Sequence, residues 1–179
     1  MATFTAYNIA TAATELRPTL ETIEKKFGFI PNLFAYMAEA PVSIEAYLAL
    51  NALIAKSSFT PQQAQVALLA VSIENKCDFC SVAHRAIGKQ AGANQQTLDA
   101  LNTNTPIEST SDQALAAFVR AVVKERGLVS EAVVDQFLAS GFTKQQVFEV
   151  MVIVAIKTLS NYSNHISQPE PNAELLAML

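Results

Sequence analysis

The sequence is short of charged side chains. Asp, Glu, Lys and Arg make up 16% of its 179 residues, and hydrophobic residues make up 51%, whereas about 25% charged residues are usual in soluble domains. Such an apolar surplus indicates either a large core or a surface that is buried against other subunits. A domain of ~150 residues still leaves about 30% of its chain surface exposed. We therefore favour the second explanation and expect a homo-oligomer.

Basic residues are also scarce, with 12 Lys and Arg against 16 Asp and Glu and a net charge of −4. No basic patch is present to attract a phosphate backbone, so we expect no nucleic-acid partner. The N-terminal residues lack the basic region and apolar core of a signal peptide. The most apolar run, Val150 to Ile156, is too short to span a bilayer. We expect a cytoplasmic protein that does not enter a membrane.

Helix start and stop signals recur along the chain, and no segment alternates convincingly between apolar and polar residues. This pattern predicts an all-α fold. No long polar segment marks a linker, so residues 1–179 are predicted to form one domain. The expected helices run from Pro18 to Gly28, within Ile30 to Pro41, from Pro41 to about Ser57, from Thr60 through Ile73, from about Cys77 to Ala91, from Thr110 or Ser111 to Gly127, after Ser130, and from Thr143 to about Tyr162.

Two of these helix starts resemble each other. Residues 58–63 read SFTPQQ and residues 141–146 read GFTKQQ, and each is followed by an apolar run. Thr60 and Thr143 are both predicted to form capping boxes with a Gln three residues later. Either two buried helices share similar caps, or a helix pair was duplicated and only the first copy carries thiols. The second helix is apolar around its circumference, so we expect it to be buried on all sides.

Both cysteines and one of the two histidines lie within eight residues, in the sequence CDFCSVAH. On a helix, Cys77, Cys80 and His84 share one face, because residues three and four apart are neighbours. A helix N-terminus stabilises a thiolate, and a nearby imidazole can take the thiol proton. In the cytoplasm a Cys-x-x-Cys pair is more often redox-active or metal-binding than structural. The cluster can therefore supply a nucleophile, a base and a resolving thiol.

Redox catalysis competes with two other interpretations of this cluster. In a zinc site, Cys77, Cys80 and His84 would supply three ligands, and His165 or a carboxylate the fourth. In an inert cluster the cysteines would act as small hydrophobic residues. A thioredoxin fold is disfavoured, because its motif follows a strand.

Residues 59–92, FTPQQAQVALLAVSIENKCDFCSVAHRAIGKQAG, resemble the core of the carboxymuconolactone decarboxylase superfamily. More narrowly they resemble its alkylhydroperoxidase D-like branch, whose hallmark is Cys-x-x-Cys-x-x-x-His after a buried apolar helix. The segments FGFIPNLFAYMAEAP and KTLSNYSNHI are similar to peroxidase-related members of about this length. The decarboxylase itself lacks the cysteine pair, so its reaction is disfavoured. The resemblance implies an all-α helical bundle, assembly into trimers or hexamers, and reduction of hydroperoxides without a bound cofactor.

The resemblance also implies roles for the motif. Cys80 would be the peroxidatic thiol, Cys77 the resolving thiol and His84 the proton-relay histidine. Peroxide would oxidise Cys80 to a sulfenic acid, Cys77 would condense with it to a disulfide, and an external dithiol, in some members a lipoylated protein, would reduce the pair. The alternative from another class is a non-catalytic oligomeric binding or redox-sensing protein on the same scaffold.

Two positions depart from the family pattern. Gln65 stands where the best-known members have a glutamate, and Phe79 stands where some have a histidine. Glutamine can orient a water or hydrogen-bond the imidazole, but it cannot accept a relayed proton as a carboxylate does. Gln65 is nonetheless included with the predicted catalytic residues.

Four further polar residues are candidates for supporting roles. Glu74 is the nearest acid in sequence and is expected to be a solvated charge at a helix end. Glu149 interrupts an apolar helix, which suggests a buried or interfacial role. Tyr162 and His165 belong to the polar segment SNYSNH, residues 160–165. This segment either satisfies the carbonyls at a helix end or contributes to a thiol pocket, in the same subunit or a neighbouring one.

Overall fold

The computed structural model describes residues 3–179. Over these residues the chain forms helices joined by short turns, with no strand, which confirms the predicted all-α fold. None of the helices in this range is both long and apolar enough to cross a membrane. A 3-10 turn at Thr14–Leu16 precedes the α-helices, which are α1 Arg17–Phe27, α2 Asn32–Met37, α3 Pro41–Ile54, α4 Pro61–Glu74, α5 Asp78–Gln90, α6 Gln95–Thr103, α7 Thr110–Lys124, α8 Glu131–Ala139, α9 Lys144–Ser167 and α10 Ala173–Ala177.

The local start signals form as the sequence predicts. Thr60 Oγ1 accepts a hydrogen bond from Gln63 N (3.2 Å), and Gln63 Oε1 accepts one from Thr60 N (3.0 Å), which completes a capping box at α4. Thr143 and Gln146 form the same box at α9. Each box satisfies backbone N–H groups that a helix start leaves unpaired.

Other boundaries differ from the prediction. Ser109, rather than Thr110 or Ser111, caps α7, because its Oγ accepts from Asp112 N (3.2 Å). Helix α9 continues to Ser167, well past Tyr162, since no Gly or Pro interrupts its polar end. Helices α6 and α10 and the 3-10 turn are not predicted from the sequence, although Asn94 caps α6.

Helix α4 is the centre of the fold. It packs against α5, α7, α9 and α6, and from Ala67 to Val71 it is almost entirely buried. On one side lies a core that α4 shares with α7, α8 and α9, in which Phe137 stacks between Phe118 and Phe142 with ring centroids 4.2 and 4.3 Å away. On the other side, α1, α2, α3 and α10 enclose the first turns of α5, including both cysteines. The thiols are therefore held inside the protein.

The prediction that α9 is buried on all sides is wrong for this chain by itself. Val150, Ile153 and Ile156 are buried, but the opposite face exposes Phe148 (74%) and Met151 (36%). A uniformly apolar sequence does not reveal how many neighbours surround a helix, and α9 has neighbours on only part of its circumference. The duplication of a helix pair stays a prediction.

Glu149 serves to join α9 to the turn before α4. Its carboxylate accepts hydrogen bonds from Ser58 N (2.9 Å), Ser58 Oγ (2.7 Å) and Gln145 Nε2 (2.8 Å). Partial burial would raise the pKa of Glu149, but the bonds from Ser58 and Gln145 hold this pKa below its usual value. The charge within the apolar helix thus has a structural partner 91 residues away in sequence.

Candidate active site

The turn between α4 and α5 places the cysteines at a helix N-terminus. After Glu74, the backbone of Lys76 adopts a left-handed conformation (φ 56°) that redirects the chain. The Cys77 amide then donates to Ser72 O (2.9 Å), and Cys77 becomes the N-cap residue of α5. Cys80 consequently lies in the first turn of α5, where the helix dipole and unpaired N–H groups favour a thiolate.

The two thiols are free, buried and unequal. Each is 2% exposed, and Asn164 Nδ2 donates to Cys80 Sγ (3.3 Å) and Cys77 Sγ (3.7 Å). The hydrogen bond from the Cys77 thiol lowers the pKa of Cys80 well below its usual value and raises the pKa of Cys77, which burial raises further. Burial opposes the effect at Cys80, but the charge of Lys157 and the amide of Asn161 reinforce it. These contacts favour the thiolate at Cys80 and the protonated thiol at Cys77.

Both ring nitrogens of His84 are occupied. Lys157 Nζ lies 2.9 Å from His84 Nε2, and Gln65 Oε1 lies 2.9 Å from His84 Nδ1. A lysine ammonium can only donate, so Nε2 must accept and the ring proton must be on Nδ1, which donates to Gln65. Burial, assisted by the charge of Lys157, lowers the pKa of His84 well below its usual value. His84 is accordingly a neutral imidazole that links Gln65 to Lys157.

The sequence predicts that His84 lies near Cys80 and takes its proton. In the structure the two imidazole nitrogens of His84 hold other partners, Gln65 at Nδ1 and Lys157 at Nε2. The charge of Lys157 lowers the pKa of Cys80, and both residues line one small cavity. Hydrogen-bond contacts thus run from Gln65 on α4 through His84 on α5 to Lys157 on α9. Lys157 in turn shares a cavity with Cys80.

Lys157 is a functional candidate that the sequence does not predict. It is 1% exposed, although lysine is almost never fully buried without a partner. The available signal was a single charge at the end of the apolar run VMVIVAIK, on the same helical face as Ile153, Asn161 and Asn164. Asn161 is held in place by Asn75, whose Nδ2 donates to its Oδ1 (3.0 Å).

The four predicted supporting residues make no hydrogen bond to either sulfur among the described residues. Glu74 is half-buried at the end of α4, and Glu149 binds Ser58. Tyr162 and His165 are exposed and stack on each other with centroids 6.2 Å apart. None of the four lines either of the two cavities that the His84 side chain borders within residues 3–179.

Two cavities meet at this site. The apolar cavity, about 650 Å³, lies between α1, α3, α4 and α5 and has Gln65 and His84 in its wall. The thiol cavity, about 40 Å³, is lined by Cys80 and Lys157 among others. A wall shared by both cavities consists of Phe27, Phe34, Tyr47, His84 and Ile87. The apolar cavity therefore adjoins the cavity that Cys80 lines.

The zinc interpretation does not fit this geometry. A histidine ligand needs a free ring nitrogen, but His84 uses one nitrogen for Gln65 and the other for Lys157. The buried ammonium would also repel a divalent cation. No cluster of three or more His, Cys, Asp or Glu suited to a metal ion occurs in the part of the chain that the structure describes.

Comparison with known proteins gives one family. Residues 41–125 match the carboxymuconolactone decarboxylase family. An alkylhydroperoxidase D core structure, an uncharacterized peroxidase-related protein from Ralstonia eutropha JMP134, is 26% identical, with a TM-score of 0.86 and coverage of 99% of this chain and 97% of that one. A peroxidase-related protein from Silicibacter sp. TM1040 is 21% identical, with a TM-score of 0.80 and coverage of 96% and 93%.

A third similar structure is the debrominase Bmp8 in complex with 2,3,4-tribromopyrrole, at 19% identity, a TM-score of 0.80 and coverage of 99% and 96%. None of the curated proteins matches the sequence significantly. The family match over residues 41–125 and the similarity to the alkylhydroperoxidase D core structure confirm the resemblance of this chain to the carboxymuconolactone decarboxylase superfamily, and within it to the alkylhydroperoxidase D-like branch.

Proposed function

We propose that the protein is a thiol-dependent peroxidase that reduces organic hydroperoxides through a dithiol–disulfide cycle of Cys80 and Cys77. The observation that carries this proposal is the pair of free thiols at the start of α5. Asn164 Nδ2 donates to both sulfur atoms, and Cys80 shares a cavity with the buried Lys157. The lowered pKa of Cys80 and the raised pKa of Cys77 favour a nucleophilic thiolate beside a protonated resolving thiol. A thiolate is the reactive form of cysteine towards peroxide.

The cycle has three steps. Cys80 thiolate attacks one peroxide oxygen, a sulfur–oxygen bond forms, the oxygen–oxygen bond breaks, and the alkoxide leaves and takes up a proton to become an alcohol. The Cys77 sulfur then attacks the sulfenic sulfur, and the hydroxide released combines with the Cys77 proton to form water. An external dithiol reduces the disulfide by exchange and is itself oxidised. A lipoylated protein is a donor of the required chemistry, and no bound cofactor is needed.

The apolar cavity supports an organic hydroperoxide rather than hydrogen peroxide as the substrate. Its volume of about 650 Å³ lies within the range of ~300–1,000 Å³ that is typical of small-molecule sites. Phe27, Phe34 and Tyr47 supply aromatic surface next to Cys80. A substrate with an apolar body can rest there and extend its peroxide group through the shared wall to the thiol.

A second candidate function is reductive dehalogenation of an aromatic compound. It is favoured by the aromatic rings in the shared wall and by the similarity of the fold to that of debrominase Bmp8. The balanced reaction converts an aryl bromide and the two thiols into the arene, bromide, a proton and the Cys77–Cys80 disulfide. The same dithiol donor would reduce the disulfide.

The exposed face of α9 supports the proposed homo-oligomer. Phe148, Met151, Tyr162 and Ile166 recur along this face at helical spacing, and all four are exposed in the single chain. Large exposed apolar patches mark interaction sites, and a trimer or hexamer would bury this one. A cytoplasmic location fits the proposal as well, because a thiol pair that must be re-reduced needs a reducing compartment.

The test is steady-state turnover with a dithiol donor. We expect an apolar organic hydroperoxide to be consumed catalytically and faster than hydrogen peroxide, and Cys80→Ser to abolish the reaction. Cys77→Ser should permit at most one turnover, because no resolving thiol remains. Oxidation once per chain without turnover would favour the redox sensor, and bromide release from an aryl bromide without peroxide consumption would favour the dehalogenase.

A further inference from the structure

Lys157 is a buried cation without a carboxylate partner. Within the described residues the only salt bridge joins Arg85 and Asp99, and the Lys157 ammonium instead contacts the neutral imidazole of His84. An isolated buried charge is costly unless it is paired. The structure must therefore supply an anion to Lys157 or allow it to lose its proton.

The groups that face Lys157 leave one candidate anion. The thiol cavity is lined by Cys80 and His84 from α5 and Tyr47 from α3, and no carboxylate among residues 3–179 lines it. Burial, together with the Cys80 charge, raises the pKa of Tyr47, so the phenol is neutral. The neighbour from α4 is the amide of Gln65, which reaches Lys157 only through His84. The counter-charge available to Lys157 is the Cys80 thiolate.

We propose that Lys157 is the acid of the peroxidase reaction: it neutralises the Cys80 thiolate in the reduced protein, gives its proton to the leaving alkoxide, and stays neutral while Cys77 and Cys80 form a disulfide. This rests on the proposed function, since the alkoxide arises only from a hydroperoxide. The coupling of the Lys157 charge to the disulfide does not depend on peroxide.

The steps balance in atoms and charge. Thiolate and ammonium begin as a neutral pair. When sulfur takes the peroxide oxygen, the oxygen–oxygen electron pair stays on the leaving oxygen and the Lys157 proton neutralises it, which yields an alcohol, a Cys80 sulfenic acid and a neutral amine. Disulfide formation then releases water and leaves the site uncharged. Reduction by a dithiol returns two electrons and two protons, one to the lysine and one to Cys77.

This scheme gives a physical reason for an amide rather than a carboxylate at position 65. A carboxylate there would add a fixed negative charge next to His84, which contacts Lys157. Lys157 would then have a counter-charge in both redox states and would keep its proton in the disulfide form. The neutral amide leaves the thiolate as the sole anion, so the charge of Lys157 follows the redox state of the cysteines.

The test is the equilibrium between the Cys77–Cys80 pair and dithiothreitol, measured at several pH values below the thiol pKa of ~8.5. The reference dithiol takes up two protons on reduction. We expect the reduced wild type to show thiolate absorbance and also to take up two protons, so that the equilibrium constant does not change with pH. Arginine cannot deprotonate, so Lys157→Arg should take up one proton, and its constant should change about tenfold per pH unit.

Gln65→Glu is a second variant, which keeps the lysine. In this variant the carboxylate should hold the Lys157 ammonium charged in the disulfide form. The equilibrium constant with dithiothreitol should therefore change about tenfold per pH unit, as in Lys157→Arg. A tenfold change per pH unit in the wild type would overturn the proposal, because Lys157 would then stay charged in both states. The proposal would also be overturned if the reduced wild type showed no thiolate absorbance. It would be overturned equally if reduction of Lys157→Arg took up two protons instead of one. Failure of peroxide turnover alone would refute the proposed function and leave this coupling intact.

Discussion

Replacing Lys157 with methionine should make Cys80 less acidic without damaging the fold. Methionine is unbranched and of similar length, so it can fill the space of the lysine side chain. Removing one partner of a buried ion pair is destabilising while the other partner keeps its charge, but the Cys80 thiolate can take up a proton in the variant. Lys157→Met should therefore fold, with a thermal midpoint below that of the wild type at pH values where Cys80 stays ionised.

The size of the effect follows from the charge that is lost. An opposite charge within ~4–6 Å lowers an acidic pKa by about 1–3 units, and Lys157 and Cys80 share a cavity of about 40 Å³. The hydrogen bond from Cys77, the largest contribution to the low pKa of Cys80, remains in the variant. We expect the Cys80 pKa to rise by about 1–3 units and to stay below that of Cys77.

The assay is the pH dependence of Cys80 alkylation by a small neutral reagent, with the modified residue located by peptide mass spectrometry. Below both midpoints, the rate for Lys157→Met should be about 10- to 1,000-fold lower, because each pKa unit changes the thiolate fraction tenfold. Lys144→Met, an exposed lysine at the start of the same helix, is the matched control and should leave the profile unchanged. An unchanged midpoint in a folded Lys157→Met protein would refute the assignment of Lys157 as the counter-charge of Cys80.

Three further predictions test other contacts. Gln65→Glu should raise the pKa of His84, because a carboxylate facing Nδ1 stabilises the imidazolium. The pKa can be measured from the pH dependence of the imidazole proton NMR signals. An unchanged titration would argue against the Gln65–His84 contact. Glu149→Gln should lower the thermal midpoint near neutral pH, and the difference should shrink as pH falls through the carboxylate range below ~4.3. The reason is that a depressed folded-state pKa gives stability above the unfolded pKa that is lost on acidification; a deficit that persists unchanged in acid would contradict this. Phe148→Glu should weaken the homo-oligomer in sedimentation velocity, whereas a wild type that sediments as a 19.3 kDa species would contradict the oligomer itself.

Local chemistry explains what could be predicted from the sequence. The capping boxes at Thr60 and Thr143 form between residues three apart, so neighbouring residues alone determine them. The helical spacing of Cys77 and Cys80 likewise places both thiols at the start of α5. Asn94 gave a comparable signal for α6, but the polar residues after it obscured the helix that it caps.

Contacts between distant segments explain what could not be predicted. Lys157 meets His84 across 73 residues of sequence, and this contact depends on which face of α9 packs against α5. Helical spacing shows which residues share a face but not which neighbour that face meets. For the same reason the exposed side of α9 was missed, since an apolar helix can be covered by its own chain or by another subunit.

The most direct test of the redox cycle is the mass of the reduced protein after one equivalent of an organic hydroperoxide. We expect the wild type to lose the mass of two hydrogens, through a Cys77–Cys80 disulfide. Cys77→Ser should instead gain one oxygen, located at Cys80 and reversible by a thiol, because the sulfenic acid has no resolving partner. An unmodified wild type, or an oxygen on Cys77 with Cys80 untouched, would contradict the assignment of Cys80 as the thiol that attacks the peroxide.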